Sequence, residues 1–213
     1  MYTRMLQELE TRKIVPVIAL NRAQDALPLA QALKEGGLPV AEITFRTEAA
    51  PDAIDAIVRH CPDVLVGAGT VTSVEQARKA RDLGCAFLVT PGFSRAIIEF
   101  ALKEQIPIFP GVLTPSELMM VMEYGLPLAK LFPASQLGGP NGVKALCGPF
   151  PSLKFMPTGG IHSENLRDYL AIRQVIACGG SWMVQKVLID EGNFAKIAQL
   201  VREAVELVQE GER

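Results

Sequence analysis

No apolar run in this sequence approaches the ~18 residues that a membrane-spanning helix needs, and no block of lysine and arginine stands apart from its surroundings. The first absence leaves no helical membrane span to expect. The second, with a net charge of −2, makes nucleic acid and anionic membrane surfaces poor partners. The opening residues, MYTRMLQELETRK, are charged and lack the apolar centre of a secretory signal. Cysteine is scarce and scattered: Cys61, Cys85, Cys147 and Cys178 form no C-x-x-C pair. They are expected as small core residues in a reducing compartment. Histidine is scarcer still, and His60 and His162 belong to no H-x-x-x-H pattern, so no metal site is expected. No linker, low-complexity tract or repeat divides the chain. The expectation is a soluble cytoplasmic protein built as one domain over 1–213.

What the sequence does contain is an alternation. Short β-rich runs recur at IVPVIAL (14–20), PVAEITF (39–45), VLVGAGT (64–70), CAFLVT (85–90), PIFPGV (107–112), LAKLFPA (128–134), LKFMPTGG (153–160) and QVIACGG (174–180). Helix-like stretches separate them, several opening on Ser or Thr with Glu close behind: Thr47–Glu48, Ser73–Glu75, Thr114–Glu117 and Ser163–Glu164. Strands apolar on both faces, alternating with helices, imply a parallel sheet covered by helices. Eight such units predict an α/β fold, a parallel (β/α)8 barrel of the TIM type with an extra N-terminal helix and a closing helix over 192–210. An open doubly wound sheet is the competing arrangement. Met119, Met120 and Met122 are expected in the core of their helix.

Barrels of this kind place chemistry at the C-terminal ends of the strands, where the unusual polar residues of this chain collect. Glu42, Thr44 and Arg46 share parity on the second run, so they point to one side. Lys130 is the only charge in the run PLAKLFPAS. Burial and a neighbouring guanidinium both disfavour the charged form of an amine, and a neutral amine attacks ketones to form Schiff bases. A structural Lys130–Glu42 ion pair accounts for the same pattern. Lys154 is the other strand lysine, but it lies four residues before Thr158, roughly 13 Å below that strand end at ~3.3 Å per residue. Glycine pairs end the last two runs, Gly159–Gly160 and Gly179–Gly180, the second followed by Ser181. Backbone N–H groups on such loops suit a phosphate, although plain turn chemistry also asks for glycine. On residue types alone a phosphate-binding isomerase or synthase, a non-catalytic phosphosugar sensor and a metal-dependent pyruvate aldolase also remain open.

Several motifs together narrow this. GGLPVAEITFRTEAA (36–50), VGAGTVTS (66–73), TPGF (90–93), PGVLTPSE (110–117), KLFPAS (130–135), GPFP (148–151), PTGGI (157–161) and GGSW (179–182) resemble the 2-keto-3-deoxy-6-phosphogluconate (KDPG) and 2-keto-4-hydroxyglutarate (KHG) aldolases across nearly the full chain. The resemblance implies a class I pyruvate aldolase, a homotrimer that uses no metal or other cofactor. It implies cleavage of a phosphosugar keto acid to pyruvate and glyceraldehyde-3-phosphate, and of 2-keto-4-hydroxyglutarate to pyruvate and glyoxylate. It assigns the Schiff base to Lys130 and acid/base work to Glu42. Arg46 and Thr70 would hold the keto-acid carboxylate, and Pro91 and Phe132 would shape the pocket. Thr158, Gly159, Gly160, Gly180 and Ser181 would meet the rest of the substrate, the phosphate above all. One departure is Ala134–Ser135–Gln136, where many relatives carry an acidic residue.

Overall fold

The computed structural model describes residues 2–211. Nine strands run among them: β1 (Ile14–Ile18), β2 (Val40–Thr44), β3 (Leu65–Gly69), β4 (Phe87–Val89), β5 (Ile108–Phe109), β6 (Gly111–Val112), β7 (Leu128–Leu131), β8 (Lys154–Pro157) and β9 (Cys178–Gly180). Every strand pairing is parallel. Six strands form one sheet in the order β5-β4-β3-β2-β1-β9, and three form another in the order β6-β7-β8. Two isolated parallel bridges, Phe155 to Val175 and Thr158 to Gly179, link β8 to the segment of β9.

The eight runs expected from the sequence therefore appear as nine strands in two sheets. The extra break falls at Pro110. Proline has no N–H to donate to a ladder, so PIFPGV divides into β5, which pairs with β4, and β6, which pairs with β7. The buried Thr90 side chain repairs the gap. Its hydroxyl accepts from the Gly111 N–H at 3.3 Å and donates to the Gly92 carbonyl at 2.7 Å. The Pro110 carbonyl accepts the Lys130 N–H at 2.9 Å, which fixes the height of Lys130 on β7.

Amphipathic helices cover the sheets. The helix Ala50–His60 buries Ala50, Ala53, Ile54 and Ile57, the spacing of one helical face. An extra helix, Tyr2–Arg12, precedes β1, and the helix Phe194–Gly211 ends the described chain. Two of the expected helix starts are capped by the residues named for them. The Ser73 hydroxyl accepts from the Gln76 N–H, and Thr114 with Glu117 forms a reciprocal capping box. The other two differ. The helix after β2 begins at Ala50, so Thr47 takes part only through its carbonyl, which accepts the Ala50 N–H. The short helix Leu166–Leu170 follows Asn165, not Ser163, and the Asn165 side chain accepts from the His162 N–H.

The methionines are a further correction. In the helix Pro115–Glu123 the core face is Leu118 and Val121, while Met119 and Met122 are 58% and 45% exposed. Each stands one position, or about a third of a helical turn, past a core residue, so the same period turns both towards the surface. The cysteines are free; Cys85, Cys147 and Cys178 are buried and Cys61 is half-buried. Burial pushes the Cys85 and Cys147 thiols up to about 12, so both stay protonated and inert near neutrality.

Candidate active site

Because all pairings are parallel, the C-terminal ends of the strands share one edge of the molecule, and the expected site residues gather there. Lys130 is the third residue of β7 and is 5% exposed. Glu42 is the third residue of β2 and is fully buried. Their strands belong to different sheets, yet Lys130 Nζ stands 3.4 Å from Glu42 Oε1. Nζ also lies 5.1 Å from the centre of the Phe132 ring. Room for the Glu42 carboxylate comes from Gly69, the last residue of β3: a Cβ there would meet Oε1 at 2.3 Å.

The two carboxylate oxygens differ. Oε1 faces the lysine at the outer limit of a hydrogen bond, while Oε2 is buried without a hydrogen-bond partner among the described residues. An unpaired buried carboxylate oxygen is costly as a structural element. A structural ion pair would close up and satisfy both oxygens, since burial repays itself only with good geometry and full hydrogen bonding. The contact is loose, and Oε2 stays an open acceptor on the same carboxylate.

A cavity of about 150 Å³ is lined by Arg46, Phe132, Thr158, Gly159, Gly160, Gly180 and Ser181, with Val17, Ile161 and Gly179. Seven residues expected to bind substrate thus share one wall. Arg46 lies beyond the end of β2 and is exposed; its Nε–H donates to Thr44 Oγ1 at 3.1 Å. Gly159 and Gly160 adopt φ of 95° and 75°, the left-handed region that glycine alone enters freely. The Gly160 and Ser181 N–H groups donate to no backbone carbonyl among the described residues. Two such donors beside an open cavity suit an anion. Close packing also demands some of these glycines: a Cβ on Gly180 would strike the Trp182 ring, and one on Gly160 would strike Ser135.

Four expected residues lie outside that wall: Lys130 and Glu42, and with them Thr70 and Pro91. Thr70 follows β3 and holds φ at 53°. For a β-branched residue this conformation is an outlier of the order of 1–3 kcal/mol, kept only where the surroundings impose it. Pro91 follows β4, and its carbonyl packs where a side chain on Gly111 would stand. Lys154 opens β8 opposite Leu128, two rungs below the pairing of Lys130 with Met156. It stands towards the other end of the strand. His162 sits on the loop past Ile161 with its ring beside Asn165 Nδ2. A wider cleft of about 620 Å³, lined in part by Lys144, Asp168 and Arg173, contains none of the expected site residues.

The family model described as KDPG and KHG aldolase matches residues 5–200. The chain belongs to that family. It is 47% identical over 206 residues to the 2-dehydro-3-deoxy-phosphogluconate aldolase of Haemophilus influenzae, covering 97% of each chain. Among solved structures it is similar to the KDPG aldolase of Legionella pneumophila, with pyruvate captured at low pH as a covalent carbinolamine intermediate. That similarity has a TM-score of 0.89 at 39% identity and covers 92% of this chain and 96% of the other. It is also similar to the KDPG aldolase of Zymomonas mobilis with 3-phosphoglycerate, with a TM-score of 0.88 at 34% identity and 95% of each chain covered.

Sequence reasoning passed over Val17 and Ile161 in the cavity wall and the buried Thr90, and gave the buried Thr44 no role. Thr44 carried a signal, a polar residue of the same parity as Glu42 and Arg46. Val17 and Ile161 carried none, because an apolar lining residue is indistinguishable from a core residue in one dimension.

Proposed function

We propose that this aldolase cleaves KDPG to pyruvate and glyceraldehyde-3-phosphate, and KHG to pyruvate and glyoxylate, through a Schiff base on Lys130. The observation that carries the reading is the buried lysine amine loosely facing a carboxylate that keeps one oxygen free. The pyruvate carbinolamine of the Legionella relative supports covalent chemistry in the family. Lys130 Nζ adds to the C2 carbonyl, giving a carbinolamine. Loss of water leaves an iminium, which accepts the electron pair when the C3–C4 bond breaks. Glu42 moves the protons: it passes one taken from the lysine nitrogen to the departing hydroxyl, then takes one from the C4 hydroxyl as the aldehyde forms and returns it to C3 of the enamine. Hydrolysis of the protonated enamine releases pyruvate and restores the lysine.

Arg46 suits the keto-acid carboxylate because a guanidinium offers two parallel donors. Thr70 is placed with it, and Pro91 and Phe132 bound the reacting carbons. Thr158 and the backbone of Gly159, Gly160, Gly180 and Ser181 receive the phosphate end, in keeping with the cavity they line and with the phosphorylated acid held by the Zymomonas relative. The chemistry asks for no metal or other cofactor. The same reading takes the chain as a single closed (β/α)8 barrel with Pro110 inside its fifth strand. The bridges from β8 to residues 175 and 179, and the meeting of Glu42 with Lys130 across two sheets, support closure. It also takes the enzyme as a cytoplasmic homotrimer, whose contacts would cover exposed apolar side chains such as Met119 and Met122.

The test is to mix the protein with pyruvate and borohydride in the presence of a chelator and read the intact mass. A mass gain equal to one reduced pyruvyl group is expected. Cleavage of KDPG with no trapped adduct would replace the aldolase reading with one that uses no Schiff base, and loss of cleavage in chelator would require a metal.

The phosphate end has its own test. Ser181→Asp puts a carboxylate against the expected phosphate, so kcat/KM on KDPG should fall by about a hundredfold, a like-charge contact of a few kcal/mol. KHG, which has no phosphate, should lose less than about fivefold. Equal losses on both substrates would remove the phosphate from this corner.

A further inference from the structure

Thr44 is fully buried at the end of β2, a polar side chain that the mechanism above does not use. Its single hydroxyl hydrogen is committed: Oγ1 donates to the Ile18 carbonyl, at the end of β1, at 2.7 Å. What remains on Oγ1 is lone-pair density, and Arg46 Nε–H donates to it at 3.1 Å. A carbonyl on the rigid edge of the sheet thus sets the hydroxyl, and the hydroxyl sets the guanidinium.

We propose that Thr44 is a positioning residue that turns Arg46 so that its two terminal nitrogens, not its Nε edge, face the substrate carboxylate. This rests on the reading that Arg46 holds that carboxylate. A guanidinium offers a carboxylate two forked edges, one made by Nε and a terminal nitrogen, the other by Nη1 and Nη2. The bond to Thr44 consumes Nε–H, so only the Nη1–Nη2 fork stays whole. Neither terminal nitrogen is held by another protein group among the described residues, and Arg46 lines the cavity into which the keto acid would enter. Arg46 is a long, exposed side chain with many rotamers, and one charge-assisted bond to a buried anchor removes much of that freedom before substrate arrives. A structural threonine that merely satisfied its own hydroxyl would need only the Ile18 carbonyl.

The experiment measures KM and kcat for KDPG and KHG with Thr44→Val and Thr44→Ser, each in the wild-type and the Arg46→Lys backgrounds, with thermal melting alongside. Valine keeps the shape and loses the oxygen. Thr44→Val should raise KM for both substrates about tenfold, the low end for losing a hydrogen bond to a charged group, with a much smaller change in kcat. Thr44→Ser should restore KM, because it keeps the oxygen. Lysine has no Nε–H, so in the Arg46→Lys enzyme Thr44→Val should add no further loss. If Thr44→Val does not fold, Thr44→Ala against Thr44→Ser makes the same comparison. An unchanged KM in Thr44→Val, or a loss of equal size in the Arg46→Lys background, overturns the positioning role. If Arg46→Lys raises KM while Thr44→Val does not, the carboxylate reading stands and only the role of Thr44 fails. If Arg46→Lys itself leaves KM unchanged, both fall.

Discussion

Lys130→Met should abolish the pyruvyl adduct trapped by borohydride and lower KDPG cleavage by about 10⁴-fold or more, the scale for losing a covalent nucleophile. Lys154→Met should keep both. The geometry separates the two lysines: Lys130 faces Glu42 Oε1 from the third rung of β7, whereas Lys154 starts β8 two rungs lower. Methionine fills the apolar space of β7, all of whose residues are buried. It nevertheless leaves Glu42 buried and without the one group that faces it. Removing one partner of a buried pair costs about 3–5 kcal/mol where the other stays charged, so the variant should melt at a lower temperature while keeping its circular dichroism. Peptide mapping of the trapped wild-type enzyme should put the label on Lys130. A label on Lys154, or continued labelling of the Lys130→Met protein, would overturn the assignment.

Glu42→Gln should lower kcat by about 10²–10⁴-fold, the range supplied by a positioned acid/base, and slow adduct formation with pyruvate to a similar degree. Glutamine keeps the volume and one carbonyl-type acceptor towards Lys130, but it cannot carry a proton between the hydroxyl of the carbinolamine and the hydroxyl at C4. The adduct should still form on long incubation, because the amine is intact. Melting temperature separates the explanations. A stability loss with kcat nearly unchanged would make Glu42 a structural partner of Lys130 and move proton transfer elsewhere. A large fall in kcat with little change in melting is the expected result.

The two experiments bear on one structural fact that no reading of the chain in one dimension contains, the 3.4 Å approach of residues 88 positions apart. Parity along β2 was visible, and so was the anomaly of a lysine within an apolar run. Period-2 alternation states which side of a strand a residue faces, but not which strand lies across from it. The Thr44 bond to Ile18 is of the same kind: the threonine was in view, its partner on β1 was not. Helix starts were legible where a side chain reaches its own backbone, as at Ser73 and Thr114. They were misplaced at Thr47 and Ser163, where the loop after the strand runs two or three residues further before the helix begins.

By itself, the sequence determined the kind of fold and the edge on which the candidate site residues gather. Apolar runs alternating with amphipathic stretches admit few arrangements besides a parallel sheet under helices, and parallel strands put all their C-terminal ends on one side. The motif set, from AEITFRT to KLFPAS and PTGGI, also carried the family. Only the tertiary structure decided that the fifth run breaks at Pro110, that Met119 and Met122 face outwards, and that Glu42 keeps an oxygen free beside Lys130. Each of these depends on what a residue meets across space, a missing ladder donor, a helix face with no sheet beneath it, a carboxylate with one neighbour instead of two. Local propensity and periodicity act within a few residues of the chain, whereas these contacts are set by packing between segments far apart in it.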